Sequence, residues 1–69
     1  MSKIFLDLHG VYHEDVENKV YSFINRNKDE CIKIITGNSD TMKKIVFKVV
    51  GSLGLKHYQL IGSEVIVWT

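Results

Sequence analysis

Apolar and polar residues alternate at the start of the chain, with Ile4, Leu6 and Leu8 in one phase and Phe5, Asp7 and His9 in the other. A period of two over Lys3–His9 predicts a half-buried strand on which Asp7 and His9 point the same way. The period then lengthens. From about His13 to Asn27 the apolar positions Val16, Val20, Phe23 and Ile24 recur at helical spacing, and Glu14 and Asp15 sit where acidic groups complement the helix dipole. A polar connector, Asn25–Glu30, leads to Cys31–Ile35, a β-branched run that predicts a second strand. Cap-type residues cluster at Ser39–Thr41 and open a second helix with the stripe Met42, Ile45, Val46, Val49, Val50 and Leu53. Gly54 followed by Leu55 has the pattern of a glycine just past a helix end with an apolar residue after it. Two short strands, His57–Ile61 and Glu64–Trp68, complete the pattern, joined by Gly62-Ser63 as a two-residue hairpin turn.

The order βαβαββ predicts an α/β fold, a two-layer sandwich in which right-handed crossovers put both helices on one face of a mixed four-stranded sheet and leave the other face open. Residues 1–69 form one domain, small enough to bury only about 60% of the surface its unfolded chain exposes, so self-association is an option and the expected state is a monomer or weak homodimer. A hydrophobic share of 45% with 25% charged residues excludes the disordered class. The net charge of +1 argues against a strongly basic nucleic-acid coat, though a local patch is compatible with it. One cysteine cannot form an internal disulfide, and the sequence has neither an 18-residue apolar run nor a charged-then-apolar leader. The expectation is a cytoplasmic protein with no membrane partner.

Chemistry concentrates where the first two strands stop at glycines. Asp7 and His9, two apart on one strand face, can form a carboxylate–imidazole pair in which the carboxylate orients the ring and raises its basicity. The bland alternative is a polar strand end satisfied by backbone hydrogen bonds. Thr36-Gly37-Asn38-Ser39 leads into a helix N-terminus, whose free N–H groups and dipole favour a phosphate, and Lys43 and Lys44 follow within a turn. Here too Asn38, Ser39 and Asp40 have a plainer role as caps. The turn is not a Walker motif, because no glycine precedes a Lys-Ser or Lys-Thr pair. His9, His13, Cys31 and His57 lack the spacing of a zinc site, so no metal ligands are assigned. Asp7 could help hold a divalent cation such as magnesium near a phosphate, but one carboxylate makes a weak cage, and the cofactor is left open. His13 and His57 read as exposed residues at a helix start and a strand start, and Cys31 as a small apolar residue of the sheet. Phe5, Tyr12, Tyr58 and Trp68 offer stacking surfaces for bases or complete a small core, and Lys43, Lys44 and Lys48 form a solvated helix face.

Leu6-Asp7-Leu8-His9-Gly10 with His13-Glu14-Asp15-Val16, then Thr36-Gly37-Asn38-Ser39 with Met42-Lys43-Lys44, and finally Val65-Ile66-Val67-Trp68 together resemble the Smr (small MutS-related) domain over nearly the full chain. The second turn often reads His-Gly-x-Gly in that family, where this chain has Thr36 and Ser39. The resemblance implies a fold like the C-terminal domain of translation initiation factor three and an endonuclease activity, nicking DNA or cleaving RNA. Asp7 and His9 are then the catalytic candidates, and Gly10, Thr36, Gly37, Asn38, Ser39, Lys43 and Lys44 the nucleic-acid or phosphate-binding ones. A non-catalytic DNA- or RNA-binding module on the same fold is the alternative, and a protein-interaction domain a third.

Overall fold

The structure is a computed structural model, and it describes residues 4–59 and 62–69. Its elements follow the order β1 (Phe5–Asp7), α1 (His13–Arg26), β2 (Cys31–Ile35), α2 (Asp40–Ser52), β3 (Lys56–Gln59) and β4 (Glu64–Trp68). The four strands form one mixed sheet in the order β1-β2-β4-β3, with β1 parallel to β2 and the other two pairs antiparallel.

Register and pleat sort the side chains onto two faces. Leu6, Ile34 and Val65 lie in one row across the sheet, and Ile32, Val67 and His57 in the next. These residues face the helices, and Ile32, Ile34, Val65 and Val67 are fully buried with Leu8, with Val16, Val20 and Ile24 of α1, and with Met42, Val46, Val49 and Val50 of α2. Both helices therefore cover the same face. The opposite face carries the row Phe5–Lys33–Ile66–Tyr58, flanked by Asp7–Ile35–Glu64 on one side and Cys31–Trp68–Lys56 on the other. It has no second layer among the described residues.

Helix ends follow local chemistry. The Ser39 hydroxyl accepts the Met42 N–H at 3.1 Å and caps α2. At the other end Gly54, with φ +68°, lets the Leu55 N–H reach Val50 O at 3.2 Å and the Gly54 N–H reach Gly51 O at 3.0 Å, the paired bonds of a Schellman turn. That turn corrects one expectation: Leu53 sits at the C-cap, 41% exposed, and Leu55 is the residue that packs against the core. Helix α1 starts at His13 with Tyr12 as N-cap and no side-chain cap, leaving Glu14 and Asp15 to complement its dipole. At its far end the Asn27 side-chain amide donates to Phe23 O at 2.8 Å.

Three further expectations change. Strand β1 is shorter than predicted, because His9 has turned out of it, and Lys3 lies outside the described residues. His57 is half-buried: its position in the inward phase sets its ring 5.5 Å from that of Phe47, and Nδ1 lies 2.9 Å from Leu55 O. The hairpin register also differs: Gln59 pairs with Val65, one residue away from the register that a two-residue Gly62-Ser63 turn sets between the strands. The predicted end of β3 at Ile61 lies outside the described residues. No helix among the described residues is long and apolar enough to cross a membrane.

Candidate active site

Parallel pairing of β1 with β2 brings the two glycine turns to one end of the sheet. Asp7 is level with Ile35, and the Leu8 N–H extends the ladder by one bond to Ile35 O at 3.0 Å. Beyond that bond both chains turn, through Gly10 at φ +75° and Gly37 at φ +69°, where any L side chain is strained. The Val11 N–H closes the first turn onto Leu8 O at 3.1 Å.

Asp7 and His9 are joined twice. The His9 backbone N–H donates to Asp7 Oδ1 at 2.9 Å, and His9 Nδ1 lies 3.2 Å from the same oxygen. The backbone donor is the main reason that the Asp7 carboxyl is held below its ordinary value; desolvation opposes it, and the imidazole's hydrogen bond and charge add to it. An ionised carboxylate at that distance selects the tautomer with hydrogen on Nδ1, which leaves Nε2 with a lone pair. Both side chains are open to solvent, His9 at 77% and Asp7 at 49% exposure. The edge of the His9 ring carrying Cε1 and Nε2 lies over the second turn: a Cβ placed on Gly37 would stand 3.9 Å from each of those atoms. The absent side chain keeps open the space between the imidazole and the start of α2.

In the second turn the predicted site residues divide. Thr36 is 5% exposed and continues the inward phase of Ile32 and Ile34. Its hydroxyl donates to Ser63 O at 3.1 Å and Gly37 O at 3.0 Å, and its N–H to Ser63 O at 2.7 Å. The single hydroxyl hydrogen is thus engaged inside the protein, so Thr36 fixes the turn to the β3–β4 connection rather than presenting a donor to a phosphate. The Ser39 hydroxyl is occupied as the α2 cap. What the turn leaves outward is the exposed Asn38, the backbone around Gly37, and the first N–H groups of α2, those of Asp40 and Thr41, which have no acceptor within the helix. Lys44 is exposed and Lys43 half-buried on the turn that follows.

The chain matches no protein-family model, no curated protein and no solved structure. Among the described residues no three His, Cys, Asp or Glu side chains gather to hold a metal ion. Cys31 starts β2 at the end of the sheet opposite His9, and His57 faces the helix layer. An open groove lined by Leu6, Asn18, Lys19, Ser22 and Arg26 runs beside the free edge of β1 and includes none of the predicted site residues. The link from Thr36 to Ser63 is the functional detail that the sequence reading missed; its one signal was a polar residue in the inward phase of a β-branched run.

Proposed function

We propose that residues 1–69 are a single Smr-like domain, with the kind of fold found in the C-terminal domain of translation initiation factor three, and that the domain cleaves nucleic-acid phosphodiesters. The observation that carries this reading is the Asp7–His9–Gly37 arrangement: an oriented imidazole whose free nitrogen faces a glycine turn at a helix N-terminus. His9 Nε2 takes a proton from the attacking oxygen, either of water or of a ribose 2′-hydroxyl. Asp7 holds the ring and balances the imidazolium that forms. The attacking oxygen bonds to phosphorus, the bond from phosphorus to the leaving oxygen breaks, and the proton on His9 returns to that oxygen directly or through solvent. Charge developing on the phosphate meets the start of α2, where the backbone at Gly37, Asn38 and Ser39 and the ammonium groups of Lys43 and Lys44 supply positive potential, with Gly10 allowing close approach.

Purified protein is incubated with labelled single-stranded RNA and supercoiled plasmid, with magnesium and with chelator, and the product ends are analysed. A 2′,3′-cyclic phosphate, or the 3′-phosphate it opens to, beside a 5′-hydroxyl is the product of the ribose hydroxyl, whereas a 5′-phosphate beside a 3′-hydroxyl identifies water as nucleophile. The chelator arm decides whether a divalent cation beside Asp7 takes part. A specific observation favours a second reading, a non-catalytic nucleic-acid-binding module: the second turn carries no histidine, and Thr36 at its first position keeps its hydroxyl inside the protein. That reading predicts salt-sensitive binding with intact substrate under every condition.

A further inference from the structure

Asp7 lies on the uncovered face of the sheet, and the residues beside it make that face more than a solvated surface. Phe5, two residues back in the same phase, stands at one end of the row Phe5–Lys33–Ile66–Tyr58. The Tyr58 ring lies 5.4 Å from that of Trp68, and all three aromatic residues are 43–58% exposed although their strands are fully paired or lie at the sheet edge. With strands about 4.8 Å apart, Phe5 and the Tyr58–Trp68 pair are separated by about 14 Å, with Lys33 between them. The row thus reads aromatic, cation, aliphatic, aromatic, complementary to a short unpaired strand whose bases stack at the two ends and whose backbone phosphate meets Lys33. A second copy of the chain or an apolar protein partner fits the face less well, because the centre of such interfaces is depleted of charge, whereas here the Lys33–Glu64 pair, 3.6 Å apart, occupies the centre.

We propose that this open face is a stacking platform for single-stranded nucleic acid, continuous with the Asp7–His9 site, and that it makes unpaired strands the substrate class. The inference rests on the nuclease reading for its placement of the scissile phosphate, but binding to the platform does not require turnover. Phe5 stacks the base next to the cleaved bond and Tyr58–Trp68 a more distant one, while Lys33 leaves Glu64 for the intervening phosphate.

Trp68 is the only tryptophan, so its emission reports on the platform directly. The His9→Ala protein, which binds without cleaving, is titrated with unstructured oligo(U), oligo(dT) and a duplex of matched length. Saturable quenching by the single strands and not by the duplex is expected. Phe5→Ala and Tyr58→Ala each weaken binding about 5- to 150-fold, and Glu64→Gln tightens it. Thermal melts of the variants exclude unfolding as the cause, since both aromatic side chains are exposed. Equal affinity for duplex, no quenching, unchanged binding by both aromatic variants, or burial of Trp68 only through self-association would each overturn the platform. Cleavage by the wild type is scored separately. Single-strand binding without cleavage removes the nuclease reading and keeps the platform, whereas cleavage of single strands at the same rate by Phe5→Ala and Tyr58→Ala does the reverse.

Discussion

Gly37 and Gly54 offer a matched pair of perturbations, because alanine at either meets the same backbone problem but only one stands beside His9. Their φ angles are +69° and +68°. Placing an L-residue there costs about 1–2 kcal/mol, and the loss of unfolded-state freedom returns about 0.4–1 kcal/mol. The net cost is therefore near 1 kcal/mol at both positions, a fall of about 4–8 °C in Tm for a domain of this size. The surroundings differ. A Cβ on Gly54 has nothing within 4 Å, whereas one on Gly37 stands 3.9 Å from Cε1 and Nε2 of His9, an ordinary van der Waals contact that leaves the ring in place and covers its reactive edge. The protein has three histidines, so the Cε1–H correlations in a carbon–proton NMR spectrum are few enough to assign by substitution. Gly37→Ala is expected to shift the His9 signal and to lower any cleavage rate measured well below Tm. Gly54→Ala is expected to leave the His9 signal and the rate unchanged while lowering Tm by a similar amount. Its nearest effect falls on His57, whose Nδ1 lies 2.9 Å from Leu55 O. An unshifted His9 signal in Gly37→Ala, or equal shifts in the two variants, would refute the placement of the imidazole over the second turn.

Three other outcomes follow from the same geometry. Thr36→Val keeps the buried shape and removes the hydroxyl that bonds Ser63 O and Gly37 O, so stability falls by about 1 kcal/mol, checked by urea unfolding. Because the Asp7 carboxyl titrates below its ordinary value in the folded state, it contributes stability that is present above that ordinary value and lost as pH falls through the folded one; Asp7→Asn removes this part of the acid dependence, read from Tm between about pH 6 and about pH 2. Asp40 places a carboxylate in the first turn of α2, where it competes with a bound phosphate for the helix dipole, so Asp40→Asn should tighten binding of a short oligonucleotide about 2- to 5-fold at low salt, measured by anisotropy.

Local signals in the sequence carried most of the fold. Alternation at Ile4–Leu8 and the β-branched run Cys31–Ile35 marked the two parallel strands, and Ser39 and Gly54-Leu55 marked both ends of α2 because capping chemistry is encoded within a few residues. Leu53 was misplaced because a helical period runs on through the C-cap, where the backbone has already begun to turn. His57 was misread for a different reason: Lys56-His57-Tyr58-Gln59 contains no apolar alternation, so its phase is set by pairing with β4 and not by its own residues. The one-residue difference in hairpin register has the same origin. At the site, the closeness of Asp7 and His9 was legible from their spacing of two, but His9 reaches Asp7 from the turn and not from a shared strand face, and its approach to Gly37 depends on the parallel register of β1 and β2. Thr36 stood among the phosphate contacts because it opens the glycine turn before α2, and its inward role was not legible because its acceptor lies 27 residues further on, at Ser63.

The most direct test of the central claim compares wild type, His9→Ala and Asp7→Asn in single-turnover cleavage of one end-labelled strand. Loss of an oriented general base predicts a fall of about 100- to 10,000-fold for His9→Ala, a smaller loss for Asp7→Asn, and melting curves that show both variants folded. Cleavage by His9→Ala at the wild-type rate would contradict the assignment.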